Sequence, residues 1–278
     1  MRKANYYTAG IIALLACVNL QAFTQSNSGS TYLFFKPIYA FPSNSGKISE
    51  NSGTIQGVTY TKGIYGSYGK GICFQVGIGK MINNNFGFEL AAEWINGKKI
   101  GANVTSDDNN LSADASEKVK AFMLKPMLVL RNSGDLLSFY SKLGLAISAY
   151  SKRTADFSIT GIANGQNFQV NTSQAEEIKP KVGFTAAFGL SFRVSQTIAI
   201  TGELNGQMIS LPVHKGHYTK YQLNGANMLP GFTTSQSSWK YEKSTSTAPG
   251  DPNQPQTRLY EPANFSYIGV SVGVKYFF

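Results

Sequence analysis

The sequence predicts an all-β fold, an eight-stranded antiparallel up-and-down barrel. Apolar residues alternate with small or polar residues along eight segments, which is the period of a β-strand. The connections between these segments are alternately long and short. Charged residues make up only 14% of the 278 residues, against roughly 25% in soluble domains, and most of those within the segments share one face.

The clearest alternation runs from Lys181 to Val194, where aliphatic and aromatic side chains occupy one face and small or polar ones the other. Pro37 and Pro126 each remove a backbone donor but leave the alternation recognisable. The eight predicted strands are 31–41, 72–79, 86–95, 118–131, 137–151, 181–194, 198–210 and 268–278.

The connections predict how the strands are arranged. Short connections of Asn, Ser, Gly and similar residues are typical of tight turns and lie at 83–85, 132–135 and 195–197. Long polar connections, predicted as loops, lie at 43–67, 97–116, 153–177 and 215–262. In an up-and-down arrangement all long loops share one end, as in transmembrane barrels with short periplasmic turns and long extracellular loops. A secreted β-sandwich also has alternating strands, but it gives no reason for loop lengths to alternate.

Charged side chains of the strands fall on the face that should point into the barrel. They are Lys36, Glu89, Glu93, Lys125, Lys142, Lys181, Arg193, Glu203 and Lys275. A lysine or arginine facing the middle of a bilayer would cost about 2–4 kcal/mol, so an exterior nearly free of charge suits lipid. Eight strands enclose a space that side chains fill, and charges in it should pair. The set is therefore predicted to form a salt-bridged plug.

The first 24 residues are predicted to be a signal peptide. Basic residues precede an apolar stretch, 9–18, that is too short to span a bilayer as a helix. Small residues at Ala22 and Thr24 predict cleavage after Thr24, which leaves 25–278 as a single barrel domain with a net charge of +8, because two basic residues are lost from +10. The alternative is a lipoprotein signal with a lipidated Cys17. Both alternatives predict export.

Several function classes are disfavoured by composition. The basic residues are spread singly, so a nucleic-acid surface is not expected. Cys73 is the only cysteine after the signal and is predicted to be a small buried side chain, with no internal disulfide. We therefore predict no catalytic, cofactor-binding or metal-binding residues and no cofactor.

The last five residues, Val274 to Phe278, alternate apolar side chains and end in an aromatic residue. This pattern resembles the C-terminal signature of bacterial outer-membrane barrels, and the exported chain as a whole resembles a small barrel of the OmpA/OmpX-like porin family. The resemblance implies the outer membrane as location, with its lipid and lipopolysaccharide as neighbours. It also implies an assembly signal for the barrel assembly machinery at Val272, Val274, Tyr276 and Phe278.

The connection 215–262 has the composition of a recognition surface. Its first half combines lysines with aromatic candidates for recognition, and its second half reads as a flexible polar tract. The aromatic candidates are Tyr218, Tyr221, Phe232, Trp239 and Tyr241. The leading hypothesis is a non-enzymatic outer-membrane barrel with a structural or adhesive role, which binds an extracellular ligand or surface through its loops. A merely shielding loop is an equal alternative.

Two other functions remain open at this point. A narrow channel for small solutes could be gated by the inward charges. A lipid-modifying enzyme could use His214 and His217, the only histidines, with Ser210 upstream and Glu242 nearby. No His-x-Ser motif occurs around either histidine, so catalysis is disfavoured.

Overall fold

A computed structural model describes residues 30–43, 46–55, 58–105, 111–132, 136–163, 165–244, 251–260 and 262–278. The predicted signal peptide and Cys17 lie outside these residues. Within the described ranges, none of the helices has the length and apolar character needed to cross a membrane.

Strands account for nearly all the regular structure. In chain order they are β1 (Thr31–Pro42), β2 (Gly46–Ile55), β3 (Val58–Gly66), β4 (Gly71–Met81), β5 (Phe86–Gly97), β6 (Ile100–Thr105), β7 (Leu111–Arg131), β8 (Leu137–Ala163), β9 (Gln166–Ile178), β10 (Val182–Arg193), β11 (Ile198–Met208), β12 (Ser210–Leu223), β13 (Ala226–Asn227), β14 (Ser238–Glu242), β15 (Gln256–Leu259), β16 (Pro262–Asn264) and β17 (Tyr267–Phe277). A 3-10 turn at Leu229–Gly231 and one helical turn, α1 (Thr234–Ser237), lie between β13 and β14.

Eight strands close into an antiparallel barrel, in the order β1, β4, β5, β7, β8, β10, β11 and β17. The last strand pairs back with the first, with Phe41 opposite Ile268 at one end and Tyr32 opposite Phe277 at the other. Closure leaves no unpaired sheet edge, which is what a strand needs in order to cross hydrocarbon. The predicted eight-stranded barrel is confirmed.

Burial alternates along the barrel strands as the sequence pattern predicts. In β17 the inward Ser271 and Lys275 are buried, whereas the outward Val272 and Tyr276 are exposed. The same holds around the ring, and outward Phe, Leu and Val side chains form a continuous apolar exterior. An exposed apolar surface of this extent is unfavourable in water and is the surface expected of a protein in a bilayer.

The long connections are not the loops that the sequence predicts. β7 and β8 have 21 and 27 residues, more than the roughly nine to eleven that cross a bilayer. β9 pairs with β8 and with β12, and β12 pairs with β14, so the sheet continues past the barrel rim. We call this sheet, made of the upper parts of β7 and β8 with β6, β9 and β12–β15, the extracellular extension. The prediction missed these strands because a sheet in water can carry polar residues on both faces.

Apolar side chains fill the two ends of the barrel interior. Tyr32 and Phe277 belong to the cluster at the end with short turns. Cys73, Leu211 and Phe265 belong to the cluster at the opposite end. Cys73 is buried, as predicted. The charged side chains of the lumen lie on the same strands as these clusters.

Candidate functional site

The first group of lumen charges is centred on Glu203 of β11. Its carboxylate accepts hydrogen bonds from Lys36, from Lys142 at 2.7 Å and from the hydroxyl of Tyr140 at 2.6 Å. Lys142 also pairs with Glu89 at 2.7 Å. These side chains come from β1, β5, β8 and β11 and are buried, so the network connects strands across the lumen.

The second group joins Lys125 of β7 to Glu93 of β5. The two charged groups are 2.6 Å apart, and the hydroxyl of Tyr267 donates to the same carboxylate at 2.9 Å. The Lys125 ammonium also donates to the Tyr267 oxygen at 3.0 Å. Pairing and hydrogen bonding of this kind offset the cost of removing a charged group from water. The paired groups occupy the lumen, as the plug hypothesis expects.

Two of the nine predicted lumen charges lie elsewhere. Lys181 and Arg193 are exposed. Lys181 precedes the first residue of β10, and Arg193 is its last residue, where the guanidinium lies 5.2 Å from the ring of Phe277. Both predictions were wrong because strict alternation was extended to strand ends, where the wall no longer encloses the side chain. Lys275 is buried as predicted, but it forms no ion pair within the part of the chain that the structure describes. Its ammonium instead lies 4.4 Å from the Tyr140 ring and 4.5 Å from the Tyr32 ring.

The extracellular extension contains a separate buried network centred on Glu176 of β9. Its carboxylate pairs with Arg153 of β8 and accepts hydrogen bonds from the Trp239 indole at 3.1 Å and the Tyr241 hydroxyl at 2.7 Å. Glu176 and Trp239 are each 1% exposed. Sequence reasoning missed Arg153 and Glu176, because both lie in a segment predicted as a loop.

Tyr68, which precedes β4, connects this network to β7. Its hydroxyl donates to Glu117 at 2.5 Å and accepts from Arg153 at 3.3 Å. Burial, reinforced by the neighbouring Glu117 carboxylate, raises the pKa of the Tyr68 hydroxyl. Tyr68 therefore remains a neutral hydrogen-bond donor at physiological pH.

Four of the five predicted recognition aromatics form a continuous chain of ring contacts. Ring centroids are 5.2 Å apart between Trp239 and Tyr218, 5.5 Å between Tyr218 and Tyr221, and 4.8 Å between Tyr221 and Phe232. Tyr218, Tyr221 and Phe232 are half-buried, so part of each ring is accessible. Direct recognition by Trp239 is contradicted, since its side chain is buried against Glu176. Tyr241 is also turned toward that carboxylate.

Close packing under Trp239 depends on Gly216 of β12, which lies directly opposite it. A Cβ atom at Gly216 would lie 2.6 Å from the indole and 2.7 Å from the Cγ of Glu176. On the other side, the Arg258 guanidinium is 3.9 Å from the centre of the indole ring. The tryptophan is thus held between a glycine and a cation.

The histidines do not form a serine hydrolase site with Ser210. His214 lies four residues further along the same strand, a distance of roughly 13 Å in extended chain, and His217 lies further still. Glu242 pairs with Lys240 at 2.7 Å. Burial and the nearby Lys179 and Lys215 hold the pKa of His214 below its ordinary value. No cluster of three metal-ligating side chains occurs among the residues that the structure describes.

The residues of the predicted assembly signal all face outward. Val272, Val274, Tyr276 and Phe278 lie between 48% and 66% exposed, on the side that would contact lipid. The assembly role stays a prediction.

A closed barrel with an apolar exterior, paired charges inside and strands extended at one end defines the class of small outer-membrane β-barrels. No protein-family model matches the chain, and no curated protein matches it in sequence. Among solved structures it is similar to Neisserial surface protein A, with 10% identity over 91% of this chain and 100% of that chain and a TM-score of 0.39. It is also similar to OprG of Pseudomonas aeruginosa, with 11% identity over 90% of this chain and 96% of that chain and a TM-score of 0.44. A third similar structure is Ail, the attachment invasion locus protein of Yersinia pestis, with 12% identity over 91% of this chain and 100% of that chain and a TM-score of 0.34.

Proposed function

We propose that the protein is a non-enzymatic outer-membrane barrel whose extracellular extension binds an external ligand or surface. The observation that carries this proposal is the chain of aromatic rings ending at Tyr218, Tyr221 and Phe232. Partly exposed aromatic side chains on a rigid support contribute large binding energies at low conformational cost. Here the support is the buried Trp239, which is held by Glu176 and Arg258.

The test is the adhesion of bacteria that carry the protein to collagen-coated wells and to bare polystyrene. Replacing Tyr218, Tyr221 and Phe232 together by alanine is expected to reduce adhesion to at least one of these surfaces by about tenfold. Tyr260→Ala is the matched control, because Tyr260 is 42% exposed and lies outside the ring chain. If the triple variant reaches the surface and adheres like the unmodified protein, recognition by these rings is wrong and a shielding or structural role takes its place.

A narrow channel is the second candidate, and the ion pairs of the lumen argue against it. Conduction requires a path that ions can enter and leave, whereas Lys142 is held between Glu89 and Glu203 at 2.7 Å from each. Planar-bilayer recording checks this. A barrel without openings supports the plug, and steady openings that change in Glu89→Gln or Lys142→Met would favour the channel.

Lipid-modifying catalysis is the third candidate. The separation of Ser210 from His214 along one strand puts this histidine out of reach as the base that would activate the serine. The structure of lipid A from cells with and without the protein is the direct measurement, and we expect no difference in acylation.

A further inference from the structure

The outer face of the extracellular extension carries a row of lysines on neighbouring strands. Lys120 of β7 is opposite Lys152 of β8, and Lys215 of β12 is opposite Lys240 of β14. Glu177 of β9 lies between the two pairs, opposite both Lys152 and Lys215. We call these four lysines the lysine row. With strands about 4.8 Å apart, the row is roughly 19 Å long.

The row is held in place from the inner face of the same strands. Arg153 and Glu176, the neighbours of Lys152 and Glu177 in sequence, face inward and form the buried ion pair. Trp239, next to Lys240, packs on the same carboxylate. A slip of one residue in register would turn these side chains outward, so the buried network fixes the lysines on the outer face.

The charges of the row are not balanced within it. Like charges directly opposite each other destabilise a sheet, and the row contains two such pairs. The Glu177 carboxylate lies 3.3 Å from the Lys215 ammonium and is largely exposed, so it offsets little of the repulsion. Lys240 pairs with Glu242 at 2.7 Å, and both of these side chains are about half exposed, so this pair also offsets little. Four lysines beside two carboxylates leave a net positive charge, which is complementary to a ligand that carries several negative charges.

The position of the row relative to the apolar belt indicates where that ligand lies. Phe122 of β7 and Tyr150 of β8 are directly opposite each other in the sheet. Lys120 and Lys152 lie on the same two strands, two residues further from the barrel. Aromatic side chains of this kind mark the boundary between hydrocarbon and water. The strands are tilted in a barrel, and Lys215 lies seven residues beyond the exposed apolar Met208. The lysine row therefore begins at the level of the lipid headgroups, at Lys120 and Lys152, and ends in the layer above them, at Lys215 and Lys240.

A cavity lies on the outer face at the lower half of the row. It has a volume of about 150 Å³ and is lined by Tyr150, Lys152, Glu177 and His217, among others. The aromatic ring and the lysine that border it suit a phosphorylated sugar, with the apolar face of the sugar on Tyr150 and the phosphate beside Lys152. The cavity gives the row a defined place for one headgroup.

We propose that the lysine row is a binding site for the phosphorylated glycolipid of the outer leaflet, with Lys120 and Lys152 at the phosphates of the lipid headgroup and Lys215 and Lys240 at anionic groups of the core sugars. The site is separate from the aromatic chain proposed to bind an external surface. The glycolipid supplies the negative charge that the row lacks and fixes the extension relative to the membrane.

The test uses purified barrel in detergent and rough lipopolysaccharide that retains its inner core. Replacing Lys120, Lys152, Lys215 and Lys240 by glutamine is expected to weaken binding by about 100-fold and to abolish its salt dependence. The matched control replaces Lys98, Lys99, Lys220 and Lys243, four exposed lysines outside the row, with an expected loss below about threefold. Glu177→Gln should bind about fivefold more tightly.

Lipid A without core sugars separates the two halves of the row. Binding of this lipid A should require Lys120 and Lys152 and should not change when Lys215 and Lys240 are replaced. Without lipid, the fourfold row variant should be at least as resistant to unfolding as the unmodified barrel, since its like charges are removed. The proposal is overturned if the row and control variants bind lipopolysaccharide equally well, or if dephosphorylated lipid binds as tightly as the intact lipid. Adhesion through the aromatic chain is measured separately, so failure of one proposal does not decide the other.

Discussion

The lumen and the extracellular extension each contain a buried carboxylate that joins several strands, and they differ in what surrounds it. Glu203 lies inside a closed ring, where every strand has two hydrogen-bonded neighbours. Glu176 lies in an open sheet that ends in the short strands β14 and β15. In the lumen the buried carboxylate therefore adds stability to a ring of strands that is already closed. In the extension the buried carboxylate attaches the outermost strands to the rest of the sheet.

The largest effect is expected from Glu203→Gln. The substitution leaves Lys36 and Lys142 in the lumen without their shared carboxylate, and an uncompensated buried charge costs about 3–5 kcal/mol. The free energy of unfolding in detergent, followed by the change in electrophoretic mobility, measures this loss. Glu177→Gln is the control and should stay within about 1 kcal/mol, since its contact with Lys215 is exposed. Equal stability of the two variants would contradict the assigned role of Glu203.

The effect of Glu176→Gln should be confined to the extracellular extension. We expect the barrel to remain folded while the extension loosens, because the partners of Glu176 lie on β8 and β14 above the rim. Limited trypsin digestion should then cut the extension about tenfold faster and leave the barrel strands protected. Glu177→Gln again serves as control, because Glu177 is the next residue on the same strand and faces outward. Loss of the whole barrel would show that the two regions fold as one unit.

A smaller effect is expected from Gly216→Ala. The new methyl group would lie 2.6 Å from the indole of Trp239, so either the ring or the backbone must move, and we expect the ring to leave its buried position. The emission of Trp239, isolated by Trp94→Phe, should shift to longer wavelength. Gly202→Ala is the matched glycine control, since a Cβ there meets nothing within 4 Å. An unshifted emission in Gly216→Ala would mean that the backbone yields instead of the ring.

The smallest effect concerns pH. The pKa of His214 is lowered in the folded extension by burial, Lys179 and Lys215. The unfolded chain therefore takes up a proton before the folded chain does, and stability is lost as the pH falls through the unfolded value of about 6.5 toward the lower folded value. Trypsin itself slows in acid, so its cleavage of the extension is normalised at each pH to cleavage of an unfolded peptide. The normalised rate should increase slightly as the pH falls from about 7.5 to about 5. His214→Gln should remove this slope, and a slope that persists would point to another group.

The sequence by itself determined the barrel. Strands that separate lipid from a narrow lumen need two chemically different faces, so alternation survives along every membrane-crossing segment and identifies Lys36, Glu89 and Glu203 as inward. Which partner each charge has depends on the closure of the ring, since Lys36 and Glu203 are far apart in the chain. The same reasoning failed for Lys181 and Arg193 at strand ends, where the constraint of a lipid face stops.

Only the tertiary structure decided what lies beyond the membrane. In water neither face of a sheet must be apolar, so 153–177 and 215–262 lack the pattern that would predict strands. The pairing of Arg153 with Glu176 and the burial of Trp239 follow from cross-strand register, which local composition does not encode. The composition of 215–262 did indicate Tyr218, Tyr221 and Phe232, together with Trp239 and Tyr241, as candidates for recognition. The register of β9 and β12 determined that their support is a buried ion pair and that four lysines align on the opposite face.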